Sequence, residues 1–545
     1  MKQCSLLLCC LVSALSANAL KIDIKNRQLH NDAPYIVSQC YTKTKDAKGG
    51  VHNPCFNCHR DSKAPNYIDD WDLQESYVFP EYALTNHWTN LFIDRSKAVS
   101  QISDAAIRHY VNESNYFDAN GSIVLAKKLK NLPEEWDIDG DGRWDGYIPD
   151  CYYRFDREGF DHAPDGNYTG WRAFGYTPFL GTFWPTNGST DDVLIRLSKD
   201  FGVNDQGEFD IETYRVNLWI VEALIKQKSI QTDPIDERKY GVDLDKDGRL
   251  GMAEMIAFEY DPLHGRTMSY VGYARKQQYQ LAAGLYPVGT EFLHSVRYLS
   301  APKAGRVGMA ARMKELRYGR KVSWADYGVH AELADEEIKE RSDYPDRLMT
   351  YIGDAERGVS NKRGWRYQGF IEDADGALRP QSYEEHLNCI GCHATLGSLV
   401  DSTFVFPRKL ERGAFQNGWY HWSQKGLAGM PEPKMPDGSY EYTRYLQENG
   451  AGDEFRDNAE VMQRFFDQNG TLLQSETEKL RRDIASLLIP SVERALQLDK
   501  AYRVIVDEQS FIYGRDAHIA PIKKVHRELK EDEKTGVTKP VKYRQ

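Results

Sequence analysis

The sequence lacks a second long apolar run, an excess of basic residues and an internal repeat. After the first twenty residues, no stretch approaches the roughly 18 to 20 apolar residues that a membrane-spanning helix needs. The formal net charge is −11, from 70 basic and 81 acidic side chains. An acidic balance of this size argues against nucleic acid and anionic membrane surfaces as partners. We therefore expect a protein that neither spans a membrane nor binds nucleic acid.

The start of the chain has the pattern of a secretory leader. Lys2 is followed by an apolar stretch from 6 to 15, and Ala17-Asn18-Ala19 is an A-x-A cleavage site. The sequence thus predicts a signal peptide cleaved after Ala19 and a periplasmic or extracellular protein. Lipid attachment at Cys10 is the alternative, but the bulky leucines and the cysteine before Cys10 favour simple cleavage.

Cysteine is scarce once the leader and two short motifs are set aside. Of nine cysteines, three lie in the leader and four in the motifs, which leaves Cys40 and Cys151. In an oxidising compartment, two remaining thiols commonly form a disulfide. We predict a Cys40–Cys151 disulfide, with two separate buried thiols as the alternative.

Two five-residue motifs have the spacing C-x-x-C-H: the first motif (residues 55–59) and the second motif (residues 389–393). Two thiols three positions apart can add to the two vinyl groups of one porphyrin. The histidine that follows then offers its imidazole to the iron. A redox dithiol or a zinc ligand pair is the alternative for a bare C-x-x-C. The spacing predicts two covalently bound haem c groups on Cys55, Cys58, His59, Cys389, Cys392 and His393.

An acidic loop from 243 to 254 matches the twelve-residue EF-hand pattern for Ca²⁺. Gly248 stands at the sharp turn, and Gly251 at position nine implies a bridging water. The predicted ligands are Asp243, Asp245, Asp247, the carbonyl of Arg249, and Glu254 as the bidentate twelfth residue. We expect Met252 to Tyr260 to continue as the exiting helix and the calcium to stabilise long loops.

A second acidic loop, from 137 to 145, is shorter, because Ile148 stands where the twelfth-position glutamate would be. It is similar to the short D-x-D-x-D-G-x-x-D calcium loops of other extracellular proteins. An acidic surface turn is the alternative. Its candidate ligands are Asp137, Asp139, Asp141 and Asp145, so the chain is expected to bind one or two Ca²⁺.

The region after the second motif resembles the class I cytochrome c family. There, C-x-x-C-H opens the domain and a later Met-Pro supplies the distal ligand, as Met430 and Met435 could here. The aromatic residues between motif and Met-Pro depart from the family pattern, and His421 is also available. For the first motif, His87 and His109 are the candidate distal ligands. A methionine as the distal ligand raises the reduction potential of a haem relative to ligation by two histidines.

The expected fold class is mainly α, with long irregular loops and a few short strands, in a multidomain dihaem c-type cytochrome. Apolar spacings of three and four predict helices at 210–228 and 491–508, and the capping pair Ser475 and Glu478 predicts another. A strand is expected at 289–300 and a hairpin at 365–379. The predicted segments are a signal peptide (1–19), an N-terminal haem domain (20–235) and a middle region with the EF-hand-type loop (236–345). A C-terminal cytochrome-like domain (346–526) and a loosely ordered charged tail (527–545) follow.

The resemblance implies an exported dihaem cytochrome that passes single electrons between redox partner proteins or to an external acceptor. The alternative is a dihaem oxidoreductase that resembles the bacterial peroxidase and MauG-like proteins, with one reactive haem. The spacing of the two motifs, which start at positions 55 and 389, is wider than is usual in those peroxidases.

Overall fold

The computed structural model describes residues 22–45, 49–435, 437–449 and 456–542. The predicted signal peptide lies outside the described residues. About 32% of the chain is helical, and the dominant element is a large antiparallel sheet. The predicted mainly α fold class is therefore wrong.

The strands are β1 Phe160–His162, β2 Tyr168–Ala173, β3 Thr190–Asp191, β4 Leu194–Arg196, β5 Ile230–Asp236, β6 Met252–Ile256, β7 Glu291–Ser300, β8 Gly308–Lys321, β9 Gly353–Asp354, β10 Gly358–Ser360, β11 Trp365–Glu372 and β12 Leu378–Pro380. Ten of them form one sheet in the order β1-β2-β4-β7-β8-β11-β10-β9, with β3 on β7 and β12 on β11. Strands β5 and β6 form a separate pair. The large sheet thus takes strands from all three predicted regions between residues 20 and 526.

The α-helices are α1 Cys55–Cys58, α2 Ser96–Gln101, α3 Asp104–Asn112, α4 Val124–Lys130, α5 Ile211–Lys226, α6 Gly272–Lys276, α7 Tyr327–Asp343, α8 Tyr383–His393, α9 Val405–Arg408, α10 Glu441–Asn449, α11 Ala459–Phe465, α12 Gln474–Arg482, α13 Ala485–Leu488 and α14 Val492–Glu508. The predicted helices at 210–228 and 491–508 are confirmed as α5 and α14. The predicted capping box is wrong, because α12 begins at Gln474 and has no side-chain cap.

Strand β8 shows why the large sheet is not predicted from the sequence pattern. Nine of its fourteen residues, including four charged ones, are buried, so the polar and apolar positions do not alternate. Distant residues compensate those charges, as where Arg312 Nη1 donates to Glu372 Oε1 over 2.8 Å. A strand buried on both faces loses the period-two pattern by which strands are recognised. The hairpin at 365–379 is confirmed as β11 and β12.

The central strands are packed on both faces. One face carries a core that contains Leu293, Leu316 and Phe370. On the other face, Phe292, Trp365 and Tyr367 belong to a second core that also holds α5. The beginning of the predicted tail packs against the N-terminal region, where Tyr77 N donates to Glu533 O over 2.9 Å. Among the described residues, no helix is long and apolar enough to cross a membrane.

Candidate functional site

Both C-x-x-C-H motifs open onto one cavity of about 1140 Å³, called here the shared cavity. Its floor is the middle of the large sheet. Cross-strand pairing aligns His294 with Arg317, Phe292 with Gly319, and Gly319 with Tyr367. Alternate residues of a strand share a face, so the cavity-lining side chains project from three adjacent strands. Helix α7 and the segment after it contribute a further wall.

The first motif is built on the four-residue helix α1, which ends as His59 N donates to Cys55 O over 2.9 Å. The Nδ1 of His59 donates to Asp70 Oδ2 over 2.8 Å. Asp70 is 2% exposed. Its other oxygen accepts from Arg60 N at 2.9 Å and from Gly397 N at 3.2 Å. One buried carboxylate therefore orients the histidine of the first motif and holds the chain that follows the second.

The second motif forms the end of the eleven-residue helix α8. This helix starts with a complete capping box between Ser382 and Glu385. The Nδ1 of His393 donates to the carbonyl of Ser402 over 3.1 Å, and the imidazole lies 4.8 Å from the ring of Tyr367. Asn361 Nδ2 donates to the carbonyl of His393 over 2.9 Å. The second histidine is thus held by neutral groups, against the sheet.

The two motifs are close neighbours. Ser398 N, just beyond the second motif, donates to Cys58 O over 3.2 Å. Gly391 packs on the segment at Tyr35, where any Cβ would overlap a backbone carbonyl. Gly397 packs in the same way on the carbonyl of Arg60. Glycine at these two positions allows the backbones to approach, which brings both pairs of thiols to one cavity.

The donor set on the cavity wall fits two covalently held haem groups. Burial raises the pKa of the Cys55 thiol to about 12 and that of Cys392 to about 11, and it raises the pKa of Cys58 and Cys389 as well. The thiols are free and protonated in the unmodified chain. Each motif histidine has its Nδ1–H engaged, which leaves Nε2 available as a metal ligand.

His294 is a cavity residue that the sequence motifs do not indicate. It lies on β7 with Nε2 3.5 Å from Asp191 Oδ2, and its ring contacts that of Phe183. Burial, then the charge of Arg317, lowers its pKa to about 3. Asp191 is itself bonded to the hydroxyl of Tyr176, and burial raises its pKa to about 7. The strand predicted at 289–300 contains His294, but its place in the lining of the shared cavity depends on tertiary contacts.

The five predicted distal ligands lie away from the lining of the shared cavity. Met430 is buried in a helical core, 4.0 Å from the Tyr420 hydroxyl, and Met435 packs on the same core. His421 uses both ring nitrogens, with Nε2 2.9 Å from Asp192 Oδ2. His87 is stacked on Tyr82, and the side chain of His109 is 78% exposed.

The predicted disulfide is not formed, and both thiols are free. Cys40 lines the shared cavity, where the charges of Cys55 and Cys392 act on it. Cys151 is fully buried in the core on the other face of the sheet, which also contains Trp171. The two cysteines belong to different layers of the fold, which is why they do not meet.

The EF-hand-type loop gathers Glu237, Asp243 and Asp245, whose carboxylate oxygens lie within 4.8 Å of one another. Glu254 is not in this group. It is an exposed residue of β6, so the predicted exiting helix is wrong. The buried Glu237 accepts from the backbone at positions two, three and nine of the loop, that is, from Leu244, Asp245 and Gly251. Asp247 and Arg249 form the turn, where Arg249 N donates to Asp247 Oδ1 over 2.8 Å.

The shorter acidic loop has the same construction. Asp137, Asp139 and Asp141 place carboxylate oxygens within 4.8 Å of one another. The buried Glu356 accepts from positions two and nine, Ile138 N at 3.2 Å and Asp145 N at 2.9 Å. One difference is electrostatic: Arg357 forms ion pairs with Asp139 and Asp145. Among the described residues, no lysine or arginine pairs with the aspartates of the EF-hand-type loop.

Two comparisons with known proteins agree. A family model described as "-like lipoprotein" matches residues 24–482. A protein of Aquifex aeolicus (strain VF5), named an uncharacterized lipoprotein, is 30% identical over 546 residues, covering 92% of this chain and 88% of the relative. No solved structure matches.

These matches overturn the family inferred from the short motifs. Membership of the c-type cytochromes is wrong, and so are the electron-carrier function and the dihaem peroxidase alternative that were inferred from it. A five-residue signature is local and can occur on unrelated folds. Here its two copies lie on helices α1 and α8, in a protein built on a large antiparallel sheet. The matched family fits an exported, membrane-anchored protein. The chain belongs to this lipoprotein-like family.

Proposed function

We propose that this protein covalently binds two haem groups side by side in the shared cavity. The observation that carries the proposal is the meeting of the two C-x-x-C-H motifs at one cavity wall, although their first cysteines, Cys55 and Cys389, are 334 positions apart in the sequence. Attachment depends on the thiols and imidazoles themselves and not on membership of a cytochrome family. When bound, each haem would supply an iron that can change its oxidation state.

The volume and the donors support two cofactors in preference to one small ligand. Pockets for a single drug-sized ligand measure roughly 300–1,000 Å³, and the shared cavity measures about 1140 Å³. Zinc ligand pairs are less well supported, because a histidine directly follows the second cysteine of both motifs, which is the spacing for covalent haem attachment. In this arrangement Cys55 and Cys58 hold one haem, and Cys389 and Cys392 hold the other.

The test is expression of the full chain in a bacterium that has the haem-attachment system for exported proteins. After denaturation and removal of free haem, the pyridine haemochrome assay should report two haems per chain. The intact mass should rise by two haem groups. A protein that loses all haem on denaturation, or that copurifies with zinc on the thiols, would contradict the proposal.

We further propose Ca²⁺ at the EF-hand-type loop, with Glu237 taking the part that the sequence pattern gives to Glu254. Asp243 Oδ1 is buried without a hydrogen-bond partner there, and burial, followed by the charges of nearby acidic groups, raises the pKa of Asp245. A divalent cation would relieve both. The site in the shorter loop is the weaker candidate because Arg357 already neutralises two of its carboxylates.

For the location of the protein, we propose export with a lipid on Cys10, the alternative that the matched lipoprotein family favours over cleavage after Ala19. Labelling cells with a radioactive fatty acid should mark the wild type and leave Cys10→Ser unlabelled. An unlabelled wild type with Leu20 at its N-terminus would contradict lipid attachment. The redox partner protein or external acceptor expected from the sequence stays a prediction.

A further inference from the structure

His294 stands out among the histidines of the shared cavity because its ring has no hydrogen bond. The other two, His59 and His393, each donate from Nδ1 to an acceptor. In the described part of the chain, neither nitrogen of His294 makes a hydrogen bond, and Nε2 is buried. Buried polar atoms are nearly always satisfied, so an unsatisfied imidazole needs an explanation.

The position of His294 relates it to the second motif. It is the cross-strand partner of Arg317, whose charge acts on Cys389 and Cys392. The charge of His393 acts on His294 itself. The side chain of His294 is 24% exposed, and the space that it borders is the shared cavity. A rigid, central strand therefore presents this ring to the cavity beside the second motif.

The two edges of the ring face different surroundings. Nε2 is buried and lies 3.5 Å from Oδ2 of Asp191, a residue that also lines the shared cavity. A carboxyl group close to one nitrogen favours the tautomer with the proton on that nitrogen, which leaves the other nitrogen with a lone pair. Burial keeps the imidazole uncharged, since the pKa of His294 is lowered to about 3. An uncharged, oriented imidazole is the form that binds iron.

We propose that His294 is the second protein ligand of the haem iron held by His393, with Asp191 positioning it. The inference rests on the proposed attachment of haem to the second motif. It replaces Met430, Met435 and His421, which lie off the cavity. It also explains an imidazole that makes no hydrogen bond, on a strand where its cross-strand partner Arg317 acts on the second pair of thiols.

The test measures the spin state of the oxidised, haem-loaded protein by electron paramagnetic resonance, with haem content measured in parallel. In the wild type, the haem of the second motif should be low-spin with two nitrogen ligands. In His294→Ala, one of the two haems should become high-spin while the haem content stays at two per chain. Added imidazole should restore the low-spin signal, because it fills the space that the side chain leaves.

Two further variants keep the result interpretable. His294→Met should keep a low-spin haem but add the near-infrared charge-transfer band of sulfur ligation. His330→Ala is the matched control: His330 is 4% exposed, also has an unpartnered Nε2, and lies on α7 away from the cavity lining. Its spectrum should equal that of the wild type.

The possible failures are distinct. A wild type without covalent haem contradicts the proposed function. Two haems whose spectra do not change in His294→Ala, or a high-spin second haem already present in the wild type, would contradict the role of His294 alone. If His294→Ala loses haem, the band of His294→Met decides: its absence from a haem-loaded variant overturns the proposal.

Discussion

The two C-x-x-C-H motifs have the same spacing and different surroundings. The first sits on a single helical turn among loops, and a buried carboxylate, Asp70, holds its histidine. The second ends a capped helix on the sheet, and a backbone carbonyl holds its histidine. The comparison teaches that the motif specifies attachment, whereas distant residues specify the charge around the iron.

The difference has a physical consequence for the two proposed haems. A carboxylate accepting from Nδ1–H makes the imidazole a stronger donor, which favours the oxidised iron. A neutral carbonyl acceptor strengthens the imidazole as a donor to a smaller extent. We therefore expect the haem of the first motif to have the lower reduction potential.

The largest expected effect comes from removing the thiols of one motif at a time. Cys55→Ala/Cys58→Ala and Cys389→Ala/Cys392→Ala should each lower covalent haem from two groups per chain to one, because each pair holds its own cofactor. The pyridine haemochrome assay on denatured protein measures this directly. Complete loss of haem in both variants would show that the sites are not independent and would break the comparison.

The next effect concerns the charge on Asp70. A hydrogen bond to a charged group is worth about 1 kcal/mol more than a neutral one, which for one electron corresponds to about 40 mV. Asp70→Asn should therefore raise the potential of one haem by about 40 mV in a spectroelectrochemical titration.

Ser402→Ala is the matched control for Asp70→Asn, because the acceptor at Ser402 is a backbone oxygen that the substitution keeps. It should leave both potentials unchanged. If Asp70→Asn also changes neither, the two histidines have equivalent partners and the comparison loses its basis.

The two acidic loops, like the two motifs, have similar sequences but different surroundings. Both have a buried glutamate from outside the aspartate triplet, Glu237 or Glu356, but only the shorter loop has Arg357 on its carboxylates. Calcium at 100 times its dissociation constant would stabilise the fold by about 2.7 kcal/mol per site. We expect thermal unfolding to show this shift in the wild type and to lose most of it in Asp243→Asn.

Asp137→Asn, the equivalent substitution in the shorter loop, should retain most of the calcium-dependent shift. Equal losses in the two variants would show that Arg357 does not protect the shorter loop from calcium. A wild type whose unfolding temperature ignores both calcium and chelator would remove the calcium proposal altogether.

The smallest expected effect concerns the number of free thiols in the haem-loaded protein. Residues 22–542 hold six cysteines, and four of them become thioethers if both haems attach. The denatured, haem-loaded protein should then show the two thiols of Cys40 and Cys151 in this span, and Cys40→Ser should remove one. A count of zero without reductant and two with it would restore the predicted disulfide.

Several elements follow from local sequence alone. Helices α5 and α14 appear where apolar residues recur every three or four positions, and β11 pairs with β12 across the Asp373 turn. The large sheet as a whole does not follow from local sequence, because β8, its longest strand, carries buried charged side chains. Arg312 and Lys314 look like surface residues until Glu372 and the carbonyl of Gly188 are brought to them.

The first and second motifs and the aspartates of the two acidic loops were determined by the sequence itself, since their chemistry depends on spacings of a few residues. Only the tertiary structure decided what surrounds them. Asp70 comes to Gly397, Glu356 to Ile138 and His294 to the second motif from positions far away in the chain. Such partners are chosen by the packing of strands and loops, which no local pattern records. The same packing separated Cys40 from Cys151 and moved the site to the middle of a sheet.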